Sequence, residues 1–139
     1  MPPSDAERGD QAPPGQGVAV AAEALYLTNL LLVPGVAFVA LLWLWWRHHD
    51  SAPPLARCHL AQTVAASLWA GVILVGANVL IVLLGGYDSP NTWMIVILYF
   101  TTVHATLVLL GSLGLAKAMA GQNFRFPLVG RPCPEGNDG

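Results

Sequence analysis

Residues 57–86 read RCHLAQTVAASLWAGVILVGANVLIVLLGG, and this stretch organises the chain. It begins with a short polar segment and continues as a long apolar run that ends at two glycines. No charged residue occurs between Arg57 and Asp88. A helix needs about 20 mostly apolar residues to cross a bilayer. The run therefore predicts a membrane-spanning helix over about residues 60–84.

The composition of the whole chain also favours a membrane protein. The 139 residues are 55% hydrophobic and only 10% charged, whereas a soluble domain carries about 25% charged residues. A chain this short exposes much of its surface, so a soluble fold could not hide the apolar excess. Lipid resolves the conflict, because it replaces water around apolar helix faces. The net charge of −2 argues against a nucleic-acid partner.

Two further apolar segments, about residues 26–46 and 93–116, predict two more spans. The first contains Pro34 and Gly35, which should kink or break the helix at a point that faces protein. It ends in three tryptophans beside Arg47, as is typical of a membrane interface. We therefore expect an all-α membrane protein with three transmembrane helices in a small bundle.

Polar segments rich in proline and glycine flank this membrane domain, which we place at residues 21–128. The N-terminal segment, residues 1–20, is expected to be a disordered tail, because it offers too little apolar area to offset its ordering entropy. The C-terminal segment, residues 129–139, is a second polar tail.

The distribution of cations predicts the orientation. They are Arg8 before the first span, Arg47 and Arg57 after it, and Lys117, Arg125 and Arg131 near the end. Three spans would place five of these six on one side of the membrane. Because cytoplasmic loops carry an excess of lysine and arginine, we expect the N-terminus outside and the C-terminus in the cytoplasm. The expected location is the bacterial inner membrane.

His104 is the most unusual residue of the third span, because it lies near the middle. An ionisable group at that depth is costly and should face the interior of a bundle. It could ligate haem, relay protons, or hydrogen-bond to another helix, with Asn78 and Thr101 as natural partners. A haem with two histidines is disfavoured, because His59 lies near the inner interface, at a depth about 20 Å from that of His104. The favoured interpretation is a neutral histidine bonded across helices, without a cofactor.

His59 and Gln62 lie three residues apart, so a helix presents them on one face at the cytoplasmic interface. They predict either a polar helix start at headgroup depth or a contact site for a partner, a lipid headgroup or a metal.

A metal ion is a weaker alternative at that end of the molecule. The available side chains have the right chemistry for zinc or copper: Cys58, His59, His48, His49 and Cys133. No pair among them has the spacing of a metal site, so none is predicted. Two cysteines are also too few for a disulfide scaffold.

Small residues recur at a spacing of four and predict close helix packing. The pairs are Ala66 and Ala70, Ser67 and Gly71, Ser112 and Ala116, and Gly114 and Ala118. After the third span, Phe124, Arg125 and Phe126 predict an interfacial anchor, with a docking strip for a partner protein as the alternative.

Three features of the chain, taken together, resemble a known family. They are the Trp-rich end of the first span, the His59-x-x-Gln62 pair, and residues 117–128, KAMAGQNFRFPL. Over about residues 26–128 the chain resembles the bacterial domain-of-unknown-function family numbered 4870. That family is likened to the Tic import-channel subunits of chloroplasts. The resemblance implies a fold and a compartment, not a reaction.

The residues that the resemblance carries over lie at the start of the second predicted span and after the third. They are His59 and Gln62 at the start, and Gly121 with residues 126–127 at the end. The chain departs from the family pattern by placing a cysteine before the histidine and a histidine inside the third span.

The sequence shows no enzyme active site, since the three predicted spans contain no carboxylate and no phosphate-binding loop. We expect a non-catalytic accessory or structural subunit of a membrane assembly, with the lipid bilayer and other membrane subunits, or a second copy, as partners. A cofactor-binding or proton-relaying subunit using His104 is one alternative. A Tic-like transport component is another.

Overall fold

The structure is a computed structural model, and it describes residues 12–125, 127 and 133. In these residues the chain forms four helices and no strand. The helices are α1, Gln16–Leu31; α2, Val36–His48; α3, Pro54–Gly85; and α4, Pro90–Met119. The predicted all-α class is therefore confirmed for the described part of the chain.

Two of the four helices are long and apolar enough to cross a membrane. Helix α3 has 32 residues and α4 has 30, which corresponds to about 48 and 45 Å. The hydrocarbon core of a bilayer is about 30 Å thick. Proline occupies the first turn of each helix, where its missing N–H costs nothing. Gly86, with a φ of +83°, ends α3 and begins the turn that joins the two helices.

The first of the three predicted spans is not confirmed. The expected break is present: α1 ends at Leu31, and Gly35 adopts a φ of +85° before α2 begins. The Gly35 N–H donates to the side chain of Asn29 over 2.9 Å, which fixes the turn. The two pieces have 16 and 13 residues, or about 24 and 20 Å, so neither can span the bilayer alone. They pack against each other as a hairpin instead of continuing in a line.

Helix α1 starts earlier than the composition suggests. It begins at Gln16, so residues 16–20 form its first turn and are not part of a disordered tail. The Gln16 side chain donates from Nε2 to the carbonyl oxygen of Met119 over 2.6 Å. A Cβ placed on Gly15 would lie 3.1 Å from Pro53. The start of α1, the start of α3 and the end of α4 therefore meet at one end of the molecule.

The buried side chains concentrate where α1 crosses this end of the long helices. One cluster joins Ala22, Leu41 and Leu60, and a second joins Tyr26 and Ala66. The other ends of α3 and α4 expose most of their large apolar side chains. That exposure suits lipid, which makes no hydrogen-bonding demand on helix faces.

A π-helical turn at Val72–Gly76 interrupts α3 near its middle. The Tyr99 hydroxyl of α4 donates to the Ile73 carbonyl over 2.9 Å, and the Asn78 side chain donates to the carbonyl of Leu74. Both bonds satisfy backbone carbonyl groups within the turn where the α-helical hydrogen-bonding pattern changes to a π-helical one. Asn78 thus bonds within its own helix and not to the third predicted span.

Candidate functional site

A buried polar network ties three parts of the chain together. Oε1 of Glu23 on α1 lies 2.6 Å from Nδ1 of His59 on α3, and both side chains are fully buried. Nε2 of His59 lies 2.8 Å from the carbonyl oxygen of Gln122, just after α4. Both ring nitrogens are thus engaged, which leaves His59 without a free position for a metal ion.

The network holds one proton between Glu23 and His59. The Gln122 carbonyl can only accept, so Nε2 of His59 carries a hydrogen. A second proton then lies either on Nδ1, facing a carboxylate, or on the carboxyl group, facing a neutral ring. Both arrangements leave the pair neutral overall, as burial in a low-dielectric region favours. Burial raises the pKa of the Glu23 carboxyl, and the neighbouring His59 ring opposes that rise.

Two glycines of α4 make room for this network. A Cβ on Gly114 would lie 2.5 Å from Oε2 of Glu23, and a Cβ on Gly111 would lie 2.5 Å from the ring of Tyr26. Glu23 and Tyr26 are three residues apart on α1, as the two glycines are on α4, so one pair fits against the other. The Tyr26 hydroxyl donates to the Leu107 carbonyl over 3.4 Å. The close packing predicted at Gly114 is present, and its partner is α1.

His59 and Gln62 are not exposed on the surface of the protein. Both are fully buried, because α1 covers the first half of α3. Beside them, Cys58 and Cys133 form a disulfide, and Nε2 of Gln62 lies 3.8 Å from the sulfur of Cys133. The face predicted as an interfacial contact therefore makes internal contacts with α1, Gln122 and Cys133.

A cavity of about 520 Å³ lies between the tip of the α1–α2 hairpin and the middle of the long helices. Its walls are mostly apolar, and its polar side chains are Asn29, Ser67 and His104. Gly71, predicted to support helix packing, lines this cavity, and a Cβ there would meet no atom within 4 Å. This size and lining are typical of small-molecule sites.

Two buried polar atoms at this cavity have no hydrogen-bond partner in the described part of the chain. They are Oγ of Ser67, whose residue is 6% exposed, and Nδ1 of His104. The His104 ring stacks on Phe100 with centroids 5.2 Å apart. The predicted partners do not reach it: Asn78 donates to its own helix, and Thr101 is exposed. A buried polar group without a partner costs free energy, so a ligand that supplies one would be stabilised there.

The remaining predicted contact residues lie beyond α4. Phe124 is half-buried and packs against the cluster of Tyr26 and Ala66, while Arg125 is exposed. Phe126 lies outside the described residues. Among residues 12–125, 127 and 133, no three His, Cys, Asp or Glu side chains come together as a possible metal site.

Glu23 is the residue that the sequence interpretation missed. It precedes the apolar run beginning at residue 26 and lies in none of the three predicted spans. The available signal was its spacing of three from Tyr26, which matches the spacing of Gly111 and Gly114 in the third predicted span.

No family model matches the chain, and no curated protein or solved structure matches it either. The resemblance described above therefore stays a prediction.

Proposed function

We propose that this protein is a non-catalytic membrane subunit that binds a lipid-soluble small molecule in the cavity beneath the α1–α2 hairpin. The observation that carries the proposal is the pair of unpartnered polar atoms, on Ser67 and His104, at one apolar cavity of about 520 Å³. A ligand with one hydrogen-bonding group would satisfy both the polar and the apolar parts of this lining.

The proposed location is the bacterial inner membrane, with the cation-bearing end in the cytoplasm. Support comes from α3 and α4, which are long and apolar enough to span. It also comes from Arg57 at the start of α3, Lys117 at the end of α4 and Arg47 at the end of α2, shortly before α3 begins. The single charge in the opposite turn is Asp88. This asymmetry follows the positive-inside rule.

The test is to purify the protein from membranes in mild detergent and to identify bound molecules by mass spectrometry. The expected result is one apolar species, retained in a fixed ratio to the wild-type protein and lost from His104→Phe. Recovery of bulk phospholipid alone, in the same proportions from both proteins, would contradict the proposal.

An accessory role in a larger assembly is the second candidate. It is favoured by a shallow apolar depression of about 280 Å³ beside Asn78 and Trp93, in the part of the helix pair that the hairpin does not reach. Oδ1 of Asn78 is buried there without a partner in the described residues. A helix of another subunit, or of a second copy, could supply a donor at that point.

Crosslinking in native membranes tests this second candidate. An Asn78→Cys variant in a cysteine-free background should form a specific adduct if a neighbouring helix lies there. A Tyr87→Cys variant in the exposed turn serves as the reference for random collision. Equal, weak crosslinking at both positions would count against assembly through this face. A Tic-like transport role stays an alternative without an observation that favours it.

A further inference from the structure

We infer that α1 and α2 form a re-entrant hairpin, which enters and leaves the membrane on one side and carries its tip to the bilayer midplane. There it closes the cavity around the polar group of a neutral lipid that bears a hydroxyl or a carbonyl. The ligand part of this inference rests on the proposed binding function, whereas the topology stands on its own.

The first step is where α1 begins and ends. At its start, the Gln16 side chain bonds to Met119 at the end of α4. Ten residues later, Tyr26 bonds to the carbonyl oxygen of Leu107. Beyond that bond, α1 continues for only five residues to Leu31, about 8 Å, whereas α4 extends 17 residues from Leu107 back to Pro90, about 26 Å.

The second step is the depth of the hairpin tip. The cavity beneath the tip is bounded by residues 67–75 of α3 and by Phe100 and His104 of α4. The midpoint of α3, Pro54–Gly85, falls between residues 69 and 70. The midpoint of α4, Pro90–Met119, falls between residues 104 and 105. The tip therefore lies level with the middle of both spans.

The third step is the chemistry of the tip. Leu32 is 75% exposed and Val36 is 71% exposed, on either side of the Pro34 turn. Exposed apolar side chains around a turn are unfavourable in water but suit the acyl chains of a bilayer. The turn is tolerated at that depth because the Gly35 N–H is bonded to Asn29 within the hairpin.

The fourth step is the position of Glu23. In a three-span arrangement with the N-terminus outside, Glu23 would lie near the outer face of the membrane. It bonds instead to His59, close to the start of α3, at the end that carries Arg57 and Lys117. Both ends of the hairpin therefore belong to the cation-bearing side.

The midplane position sets the class of ligand. A charged group at that depth is costly, so the headgroup of a phospholipid does not belong there. The Ser67 hydroxyl can donate or accept, and the unpartnered Nδ1 of His104 can be matched by a neutral polar group. The stacked rings of Phe100 and His104 form part of the wall. A long apolar molecule with one hydroxyl or carbonyl fits this lining.

Paired reporters test the topology. Alkaline phosphatase, which is active only outside the cytoplasm, and a green fluorescent protein, which folds inside, are fused in turn to each terminus of the full chain. A re-entrant hairpin gives the same answer at both termini. Opposite answers would establish three spans and overturn the hairpin, yet would leave ligand binding untouched.

Cysteine labelling gives an independent reading of the tip. In a Cys58→Ser, Cys133→Ser background, Leu32→Cys should resist a membrane-impermeant maleimide from both sides of the membrane. The control Tyr87→Cys should react from one side and His49→Cys from the other. Fast reaction of Leu32→Cys from either side would place the tip in water and refute the inference.

Photoreactive lipids test the ligand class. The probes are a long-chain alcohol, a prenylated benzoquinone and a phosphatidylcholine, each carrying a diazirine, offered to the full-length protein in nanodiscs. The alcohol or the quinone should label residues 67–75, and the outcome separates a hydroxyl ligand from a carbonyl ligand. Labelling should fall about tenfold in the Ser67→Ala, His104→Phe double variant, as loss of hydrogen bonding to a buried group predicts.

Matched variants keep this test falsifiable. Ser112→Ala and Thr106→Val remove hydroxyls that bond only within α4, so labelling should stay unchanged. Gly71→Leu adds a side chain at a cavity position where a Cβ meets no atom within 4 Å, and should reduce labelling without removing either polar group. Labelling by the phosphatidylcholine probe at the same level in every variant would mean that bulk lipid fills the cavity, and would refute the ligand class.

Discussion

Oε1 of Glu23 lies 2.6 Å from Nδ1 of His59, and the two side chains are fully buried where α1 crosses α3. This contact fixes which turn of α1 faces which turn of α3, since a shift by one residue would separate the two groups. It also brings a segment that precedes the apolar runs into the centre of the helix bundle.

Removing the carboxyl group should destabilise the protein far more than neutralising it. Glu23→Ala leaves Nδ1 of the His59 ring without its partner, and we expect a loss of about 3–5 kcal/mol in the free energy of unfolding. Glu23→Gln keeps a donor opposite Nδ1 and should cost only about 1 kcal/mol. The measurement is unfolding by titration with a denaturing detergent.

Thr28→Val is the matched control on the same helix, because Thr28 donates only to the Ala24 carbonyl of its own helix. Its cost should be about 0.5 kcal/mol or less. If Glu23→Ala costs no more than Thr28→Val, the buried pair does not hold α1 in place.

Adding a methyl group at Gly114 should push α1 away from α4. The new Cβ would lie 2.5 Å from Oε2 of Glu23, a side chain that His59 prevents from moving aside. We expect Gly114→Ala to cost about 1–3 kcal/mol. Gly17→Ala is the control, since a Cβ there meets no atom within 4 Å, and it should stabilise the helix by about 0.4–1 kcal/mol. Equal effects of the two changes would contradict the close contact.

Tyr99 should stabilise the π-helical turn through its hydroxyl. Tyr99→Phe removes the donor to the Ile73 carbonyl, and a loss of about 1 kcal/mol is expected. Tyr87→Phe, in the exposed turn at the far end, should change the unfolding free energy by about 0.5 kcal/mol or less. Hydrogen exchange should also quicken at residues 72–76 in Tyr99→Phe alone. Unchanged exchange there would mean that the turn does not depend on Tyr99.

The Cys58–Cys133 pair reports which compartment contains the cation-bearing end. A disulfide persists in an oxidising compartment and is reduced in the cytoplasm. If the cations mark the cytoplasmic side, both thiols should react with a maleimide–polyethylene glycol reagent when freshly broken cells are denatured in its presence, since Cys58 is buried in the folded protein. A mild oxidant should then close the bond, and Cys133→Ser should abolish that closure. A bond already closed in living cells would reverse the proposed orientation.

Much of the fold is readable from local sequence. The uncharged run after Arg57 and the turn before Pro90 lead to two long helices, because length and hydropathy alone decide whether a helix can span. The break at Pro34 and Gly35 is predictable for a similar reason, since proline and glycine act on the backbone nearby.

The local sequence does not determine the direction that the chain takes after that break. A kinked span and a hairpin both contain Pro34, and the difference depends on what α1 packs against. That choice rests on Glu23, Gly114 and His59, which are far apart in the sequence. Charge counting could not detect it either, because Glu23 is neutralised by a buried partner and does not face solvent.

The cavity was even less accessible to sequence reasoning. His104 was recognised as an unusual residue, and a bonded partner was expected for it. Whether a polar side chain finds a partner depends on the rotation of each helix about its axis. The π-helical turn within α3 takes up one extra residue and so changes that rotation for the residues that follow it. Ser67 was interpreted only as a small residue for packing, whereas its hydroxyl lies at the cavity without a partner.

The short hairpin beside the long helix pair gives the molecule unequal cross-sections. In the re-entrant arrangement proposed above, four helices would fill the leaflet on the cation-bearing side and two would fill the other. A helix with its side chains is about 10–12 Å across, so that arrangement would give the protein the form of a wedge. We expect such a wedge to favour bilayers whose convex surface lies on its wide side. Sorting between small and large vesicles of equal composition would measure that preference.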